Sequence, residues 1–160
     1  MATVYFEDLD IGSVHHGSEC ICDKDEMLEY SRRNDPWPFR IDEAAATHSP
    51  FGGVIASGGY IITLWYRSLI GIYNTPKATW AFLGGFDWKL KFRAPVRAAD
   101  TLRAKVTVKD KRLWIKPGQG AVTLFSEFLN QRSEVVFTVE VMVLLATRAE
   151  GASSGPSTPA

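Results

Sequence analysis

One long apolar segment, Val54–Tyr73, constrains the fold of this 160-residue chain more than any other feature. Its length suits a membrane span, but it contains the charge of Arg67 and three glycines, at positions 58, 59 and 71. The residues after it alternate between apolar and polar as soluble sheets do. We therefore expect a buried core helix, apolar on nearly all sides, and no membrane as a partner.

Four alternating stretches follow the apolar segment, and strict alternation is typical of half-buried strands. They are Phe86–Arg93, Leu102–Lys109, Ala121–Leu129 and Val135–Ala146. A helix followed by a run of antiparallel strands buries every apolar face if a curved sheet wraps around the helix. The predicted fold is therefore α+β and of the hot-dog type, with a long central helix.

The residues before the apolar segment predict short elements. A first strand is expected at His15–Cys22, and Asp23 with Glu26 has the spacing of a capping box that opens a helix. That helix should end before Asp35, which precedes a proline. A loop should follow, carrying position 40, and then a short helical piece near Ala44–Thr47.

The length of the chain predicts one domain, residues 1–148, with a disordered Gly/Ser/Pro-rich tail at 149–160. Cys20 and Cys22 fit neither a disulfide framework nor a zinc-type pair, so we expect reduced, semi-buried thiols and no metal. Glu7, Asp8 and Asp10 stand where a signal peptide needs basic and then apolar residues. These features predict a cytoplasmic protein.

Charge is unevenly distributed although the formal net charge is zero. Residues 1–50 carry 11 Asp/Glu against 4 Lys/Arg, whereas residues 51–150 carry 14 Lys/Arg against 7 Asp/Glu. The strand faces of the second part are either basic without consequence, or they form a positive surface for an anionic ligand such as a nucleotide phosphate. No dense Lys/Arg run is interleaved with aromatic residues, so nucleic acid is not an expected partner.

The most informative motif lies between residues 30 and 60. It combines an aromatic residue, Tyr30, with Asp35, Ala46 and the turn Phe51-Gly52-Gly53. In these spacings the segment resembles the MaoC-like (R)-specific enoyl-CoA hydratases, which have a hot-dog fold, and the likeness in layout spans residues 5–147. The resemblance implies water addition to, or removal from, an enoyl-CoA or related acyl thioester. It implies no cofactor, because coenzyme A is part of the substrate.

Two positions depart from the family motif. Asn34 occupies a position where many members have Gly, and Arg40 occupies the position of the catalytic histidine. In the family, Asp and His hold and deprotonate the water, so the resemblance makes Asp35 and position 40 the catalytic pair. A guanidinium keeps its charge and cannot exchange that proton, although it can pair with Asp35 or Asp42 or hold an anionic group. His48 is the candidate substitute base, and a merely structural role is the other interpretation.

The turn after the motif supplies the candidate substrate-binding residues, Phe51, Gly53, Ser57 and Gly58. The resemblance puts Ser57 and Gly58 near the thioester oxygen, where amides at a helix start can stabilise developing negative charge. The alternative is that the glycines only allow the helix to pack tightly. Asp35 also has a purely structural interpretation, because an Asp that precedes a proline commonly forms a turn.

Three function classes and one assembly state follow. A hydratase or dehydratase is the leading one, and Arg40 favours the second, a non-catalytic acyl-thioester-binding subunit. A hot-dog thioesterase is the third, but several of these have a carboxylate on the central helix, and Val54–Tyr73 has none. Because one hot-dog sheet leaves an edge strand open, we expect a homodimer or a dimer-based oligomer.

Overall fold

A computed structural model describes residues 2–149, so residues 150–160 of the predicted tail lie outside the described part of the chain. The helices are α1 (Lys24–Asn34), α2 (Pro38–Ile41), α3 (Glu43–Thr47) and α4 (Gly58–Tyr73). The strands are β1 (Ala2–Val4), β2 (Val14–His16), β3 (Cys20–Ile21), β4 (Ala78–Trp80), β5 (Phe82–Phe92), β6 (Thr101–Leu113), β7 (Gln119–Leu129) and β8 (Val135–Ala146). A single 3-10 turn, Phe6–Asp8, follows β1.

The large sheet is antiparallel, with strand order β2-β6-β7-β8-β5, and β3 pairs with β6 next to β2. The strands β1 and β4 form a separate parallel pair. The helix α4 packs on one face of the large sheet, where the ring of Trp65 meets Phe137 edge-on at 5.9 Å. Fully buried residues of α4, β6, β7 and β8 form one core. The predicted hot-dog fold is therefore confirmed.

The central helix begins four residues later than predicted, at Gly58 rather than Val54. Residues 54–57 are not helical: Ser57 has extended dihedral angles, and the backbone N–H of Ala56 donates a hydrogen bond to Val96 O at 2.8 Å. The prediction that the helix is enclosed on nearly all sides is also wrong. The side chains of Tyr66 and Ile70 are 52% and 58% exposed and form an open apolar face.

The predicted strand His15–Cys22 is divided into β2 and β3. The break lies at Gly17 and Ser18, whose backbone turns from the sheet toward α4. There Ser18 N–H donates to Ser68 O at 2.9 Å, and Ser68 Oγ donates back to Ser18 O at 2.6 Å. A Cβ atom on Gly17 would lie only 2.5 Å from Ser68 O, so the close approach requires glycine.

Helix α1 begins as predicted, with the Asp23 side chain accepting a hydrogen bond from Glu26 N–H at 2.9 Å. Only this half of the predicted capping box forms. The Glu26 carboxylate instead accepts hydrogen bonds from Tyr60 Oη at 2.7 Å and from Arg67 Nη1 at 2.5 Å. It therefore links α1 to α4.

The predicted loop around position 40 contains the short helix α2. Pro38 occupies its first turn, where the missing N–H costs no hydrogen bond. The predicted helical piece after it is confirmed as α3. Its N-cap is Asp42, whose carboxylate accepts from Ala44 N–H at 2.8 Å.

Strand β5 begins earlier than predicted and contains a bulge between Phe86 and Lys89. Asp87 adopts a positive φ of 54° at this bulge. Consequently Trp88 contacts Trp65 of α4 at 5.5 Å, whereas Phe86 contacts Trp114 of the β6–β7 connection at 5.4 Å. The strict alternation predicted for this strand is interrupted at that point.

The two cysteines are free thiols. Cys22 is fully buried and Cys20 is half-buried. Burial raises the pKa of Cys22 to about 12 and that of Cys20 to about 11, so both remain protonated thiols at neutral pH. No helix within residues 2–149 is long and apolar enough to cross a membrane.

Candidate functional site

An open cleft of about 390 Å³ lies between α2, the start of α4 and the end of β5. Most of its lining is apolar, and two guanidinium groups border it. The lining residues are Arg40, Phe51, Ile55, Ala56, Gly58, Ile61, Phe92, Arg93, Ala94 and Pro95. A cavity of this size, apolar with few polar groups, is typical of a small-molecule site.

Arg40 forms one wall of the cleft and is the most constrained charged residue in it. Its Nε lies 2.7 Å from Asp35 Oδ2, and Nη1 donates to the backbone oxygen of Ala56 at 3.0 Å. The Nε–H does not point at the carboxylate oxygen, so the contact is an ion pair rather than an aligned hydrogen bond. Both side chains are largely shielded, with 20% and 26% exposure. Arg40 therefore connects three segments of the chain.

Local backbone hydrogen bonds explain why Asp35 and Arg40 lie next to each other. Asp35 is the C-cap of α1, and its N–H donates to Ser31 O at 2.8 Å. Trp37 N–H then donates to Asp35 O at 2.9 Å, which turns the chain sharply. Pro38 starts α2 immediately afterwards, so Arg40 returns within one turn to face Asp35.

The first turn of α4 opens on the cleft at Gly58. The first intrahelical bond runs from Ile61 N–H to Ser57 O at 3.0 Å, and the Ser57 side chain makes no capping hydrogen bond. The amides of residues 58–60 therefore have no partner within the helix. The partial positive charge of the helix N-terminus lies beside the cleft.

The glycines of this turn also have a packing role. A Cβ atom on Gly58 would come within 2.8 Å of the Phe92 ring, and one on Gly59 would overlap the Tyr30 hydroxyl. The aromatic residue of the family motif, Tyr30, thus packs against the start of α4. Tight packing and access to the amides occur at the same turn, so the two interpretations of these glycines are compatible.

The structure brings only part of the predicted site together. Arg40, Phe51 and Gly58 line the cleft, whereas Asp35 is paired with Arg40 and is not one of the lining residues. Ser57 is buried at the helix start. Gly53 lines a separate shallow depression on the side of α1 and α3.

The predicted alternatives for the base and for the partner of Arg40 have other contacts. His48 is exposed at the end of α3, and its Nδ1 lies 3.0 Å from Ala44 O. It is not one of the residues that line the cleft. Asp42 caps α3 and leaves Asp35 as the partner of Arg40.

Sequence reasoning missed the wall formed by residues 92–95, at the end of β5. This wall joins the motif only through the fold, because β5 is paired with β8 and the motif lies in the α1–α4 region. Arg97 was also missed. Its Nη2 donates to Phe51 O at 2.7 Å and holds the turn before α4 in place.

Comparison with known proteins gives the family. The model of the MaoC like domain matches residues 12–127 of the chain. The chain belongs to the MaoC-like dehydratase family. It is similar to a 3-hydroxybutyryl-CoA dehydratase of Methylorubrum extorquens, with 31% identity over 110 residues, which are 69% of this chain and 67% of the relative.

Solved structures agree with this assignment. A MaoC-like dehydratase from Rhodospirillum rubrum is 30% identical and superimposes with a TM-score of 0.81, covering 91% of this chain and 98% of the other. An R-hydratase from Pseudomonas aeruginosa shares the fold, with 20% identity and a TM-score of 0.68 over 98% of this chain and 97% of the other. Arg40, which the sequence resemblance puts at the position of the family histidine, lines the cleft of this MaoC-like chain.

Proposed function

We propose that this chain adds water to, or removes it from, an enoyl-CoA or related acyl thioester, with Asp35 as the base and Arg40 in place of the usual histidine. One observation carries the proposal: Arg40, which is paired with Asp35, and the free amides at the start of α4 border the same cleft. A carboxylate and a set of oriented N–H donors are what thioester hydration needs.

The chemistry assigns each group one role. The thioester carbonyl accepts hydrogen bonds from the amides of residues 58–60, which stabilise the negative charge that develops on its oxygen. Asp35 takes a proton from water as the water oxygen bonds to the β-carbon, and the carboxylic acid then returns a proton to the α-carbon. Arg40 keeps its charge throughout and orients the carboxylate. The apolar wall holds the acyl chain.

A second candidate function is a non-catalytic subunit that binds acyl thioesters. It is favoured by the lining of the cleft, which includes Arg40 but not its ion-pair partner Asp35, so a guanidinium rather than a carboxylate faces a bound ligand. In this case the cleft and the amides would bind the thioester, but no water would be activated.

The experiment is the substitution Arg40→His, assayed by the loss of enoyl absorbance of crotonyl-CoA. If the missing imidazole limits hydration, we expect a gain of up to about 10²-fold, since a placed general base contributes roughly 10²–10⁴-fold. Asp35→Asn in the same background should abolish the gain. Arg40→Lys is the matched control, because it retains a cation but supplies no imidazole.

The outcomes separate the two functions. Wild-type hydration at ordinary enzyme rates would show that the missing imidazole is not limiting, and that either Asp35 with Arg40 or another residue, His48 first, supplies the base. An inert Arg40→His protein that still binds crotonyl-CoA favours the binding subunit. Release of free thiol from the same substrate would point instead to a thioesterase, and failure to bind any acyl thioester would refute both candidates.

We also propose a homodimer formed through β5 and the exposed face of α4. Within the described sheet β5 pairs only with β8 and leaves one edge open. Beside it lies an apolar groove of about 470 Å³ that includes Tyr66, Ile70, Phe82 and Trp88. These four side chains are 39–58% exposed, and a second copy would cover both the edge and the groove.

Light scattering tests the dimer. The wild type should be dimeric at micromolar concentration, and Ile70→Asp should weaken the dimer because it places a charge on the apolar face. Ile115→Asp is the matched control, since Ile115 is 95% exposed on the β6–β7 connection, away from this groove. A monomeric wild type would refute the proposal.

A further inference from the structure

A row of cations lies on the outer face of the sheet. In the second half of β5, Phe92 points inward and packs on Phe137 with ring centroids 5.2 Å apart. Lys89 and Lys91 alternate with the inward residues, and Arg93 follows the strand end, so their side chains project from the opposite face. Together with Lys109 of β6 they line a depression of about 310 Å³. We call these four residues the basic row.

The basic row is not neutralised. Within residues 2–149, none of its four cations has a carboxylate oxygen within ion-pair distance. Glu140 is the acidic residue in the depression, opposite Lys89 in the strand register. Lys109 instead lies 5.5 Å above the ring of Phe125. Four cations against one carboxylate leave a positive surface that attracts an anion.

Arg93 connects the basic row with the cleft, because it lines both. Along a strand each residue adds about 3.3 Å, so Lys91 and Lys89 stand roughly 7 and 13 Å from Arg93. The basic row therefore extends from the mouth of the cleft, with one cation at every second residue of the strand. A ligand with a reactive group at one end and anionic groups on a long arm matches this arrangement.

We propose that the basic row binds the phosphate groups of the coenzyme A nucleotide while the thioester lies in the cleft. This inference rests on the proposed function and adds a second subsite to it. Lys and Arg are side chains that commonly bind phosphates. A concave depression of this size is typical of a site for a small molecule such as a nucleotide rather than for a partner protein. The proposed dimer leaves the row accessible, because it uses the edge of β5 and the groove beside α4.

The test compares two esters with the same acyl group, crotonyl-CoA and crotonyl-pantetheine, by calorimetric titration. Because only the first carries phosphates, the variant Lys89→Gln/Lys91→Gln should bind it about tenfold more weakly and bind the second as the wild type does. The matched control is Lys116→Gln, an exposed lysine outside the row, which should change neither affinity. Added salt should weaken only the binding of crotonyl-CoA.

Other outcomes overturn the inference. It fails if the wild type binds both esters equally, or if the double variant weakens both equally. It also fails if a phosphopantetheine-loaded acidic carrier protein binds through the same lysines more tightly than crotonyl-CoA. If neither ester binds, the proposed function fails. Titration with adenosine 3′,5′-bisphosphate then decides on the row itself, with lysine-dependent binding supporting it and no binding refuting it.

Discussion

The indole Nε1 of Trp65 donates a hydrogen bond to Ser126 Oγ at 2.7 Å, joining the central helix α4 to the middle of strand β7. Both residues are 2% exposed, so neither polar atom can exchange its partner for water. The bond fixes the rotation of α4 on the sheet, and with it the direction in which the first turn of the helix faces the cleft.

Ser126→Ala should destabilise the protein by about 1–3 kcal/mol, because the buried Trp65 N–H loses its acceptor. Denaturant unfolding measures this cost. In a Trp65→Phe background the donor is already absent, so the same serine substitution should cost less than about 1 kcal/mol. Equal costs in the two backgrounds would contradict a direct role for the bond.

Glu26 should make stability depend on pH at the acid end. The hydrogen bond from Arg67, and then that from Tyr60, lower the pKa of its carboxyl group below the ordinary 4.5. A lowered folded-state pKa adds stability that is present above the ordinary value and is lost as pH falls through the folded value. Glu26→Gln should therefore cost about 0.5 kcal/mol at pH 7, a small value because the carboxylate is partly exposed.

The measurement is the unfolding free energy of both proteins as a function of pH. The difference between them should be constant well above pH 4.5 and should shrink below it. A difference that stays constant down to the acid unfolding transition would show that the carboxylate charge is not what stabilises this contact.

Gly17→Ala tests the close approach of the chain to α4. The added Cβ would lie 2.5 Å from Ser68 O, a backbone atom that cannot move by itself, so we expect a loss of about 1–3 kcal/mol. Gly84→Ala in β5 is the matched control, because its Cβ would meet no atom within 4 Å and stability should change by less than about 0.5 kcal/mol. Thermal unfolding of the two variants distinguishes a steric effect from the general effect of replacing glycine.

The sheet could be predicted well because its signal is local. Alternation with period two follows directly from the geometry of a strand with one buried face, and the predicted Val135–Ala146 coincides with β8. The start of α4 could not be predicted in this way. Residues 54–57 resemble the helix in being mostly apolar, but they are not helical, and Ala56 N–H instead bonds to Val96, a residue 40 positions further along the chain.

The residues of the candidate site also differ in whether a local sequence signal reveals them. Arg40, Phe51 and Gly58 could be found because one short motif contains them all. Arg93 could not, since it reaches the cleft only when β5 pairs with β8 and brings its end beside α4. The positive charge of the second part of the chain was visible in the sequence, but its arrangement as a row beginning at the cleft depends on the register of the sheet.

Arg40 has three contacts, with Asp35, Ala56 and the ring of Phe39. Through them it joins α1, α2 and the segment that leads into α4. An imidazole at this position would gain and lose its charge between about pH 5 and 8, and the strength of its contacts would change with its charge. A guanidinium does neither. The Arg40 side chain therefore holds these three segments together through a group that does not exchange protons near neutral pH.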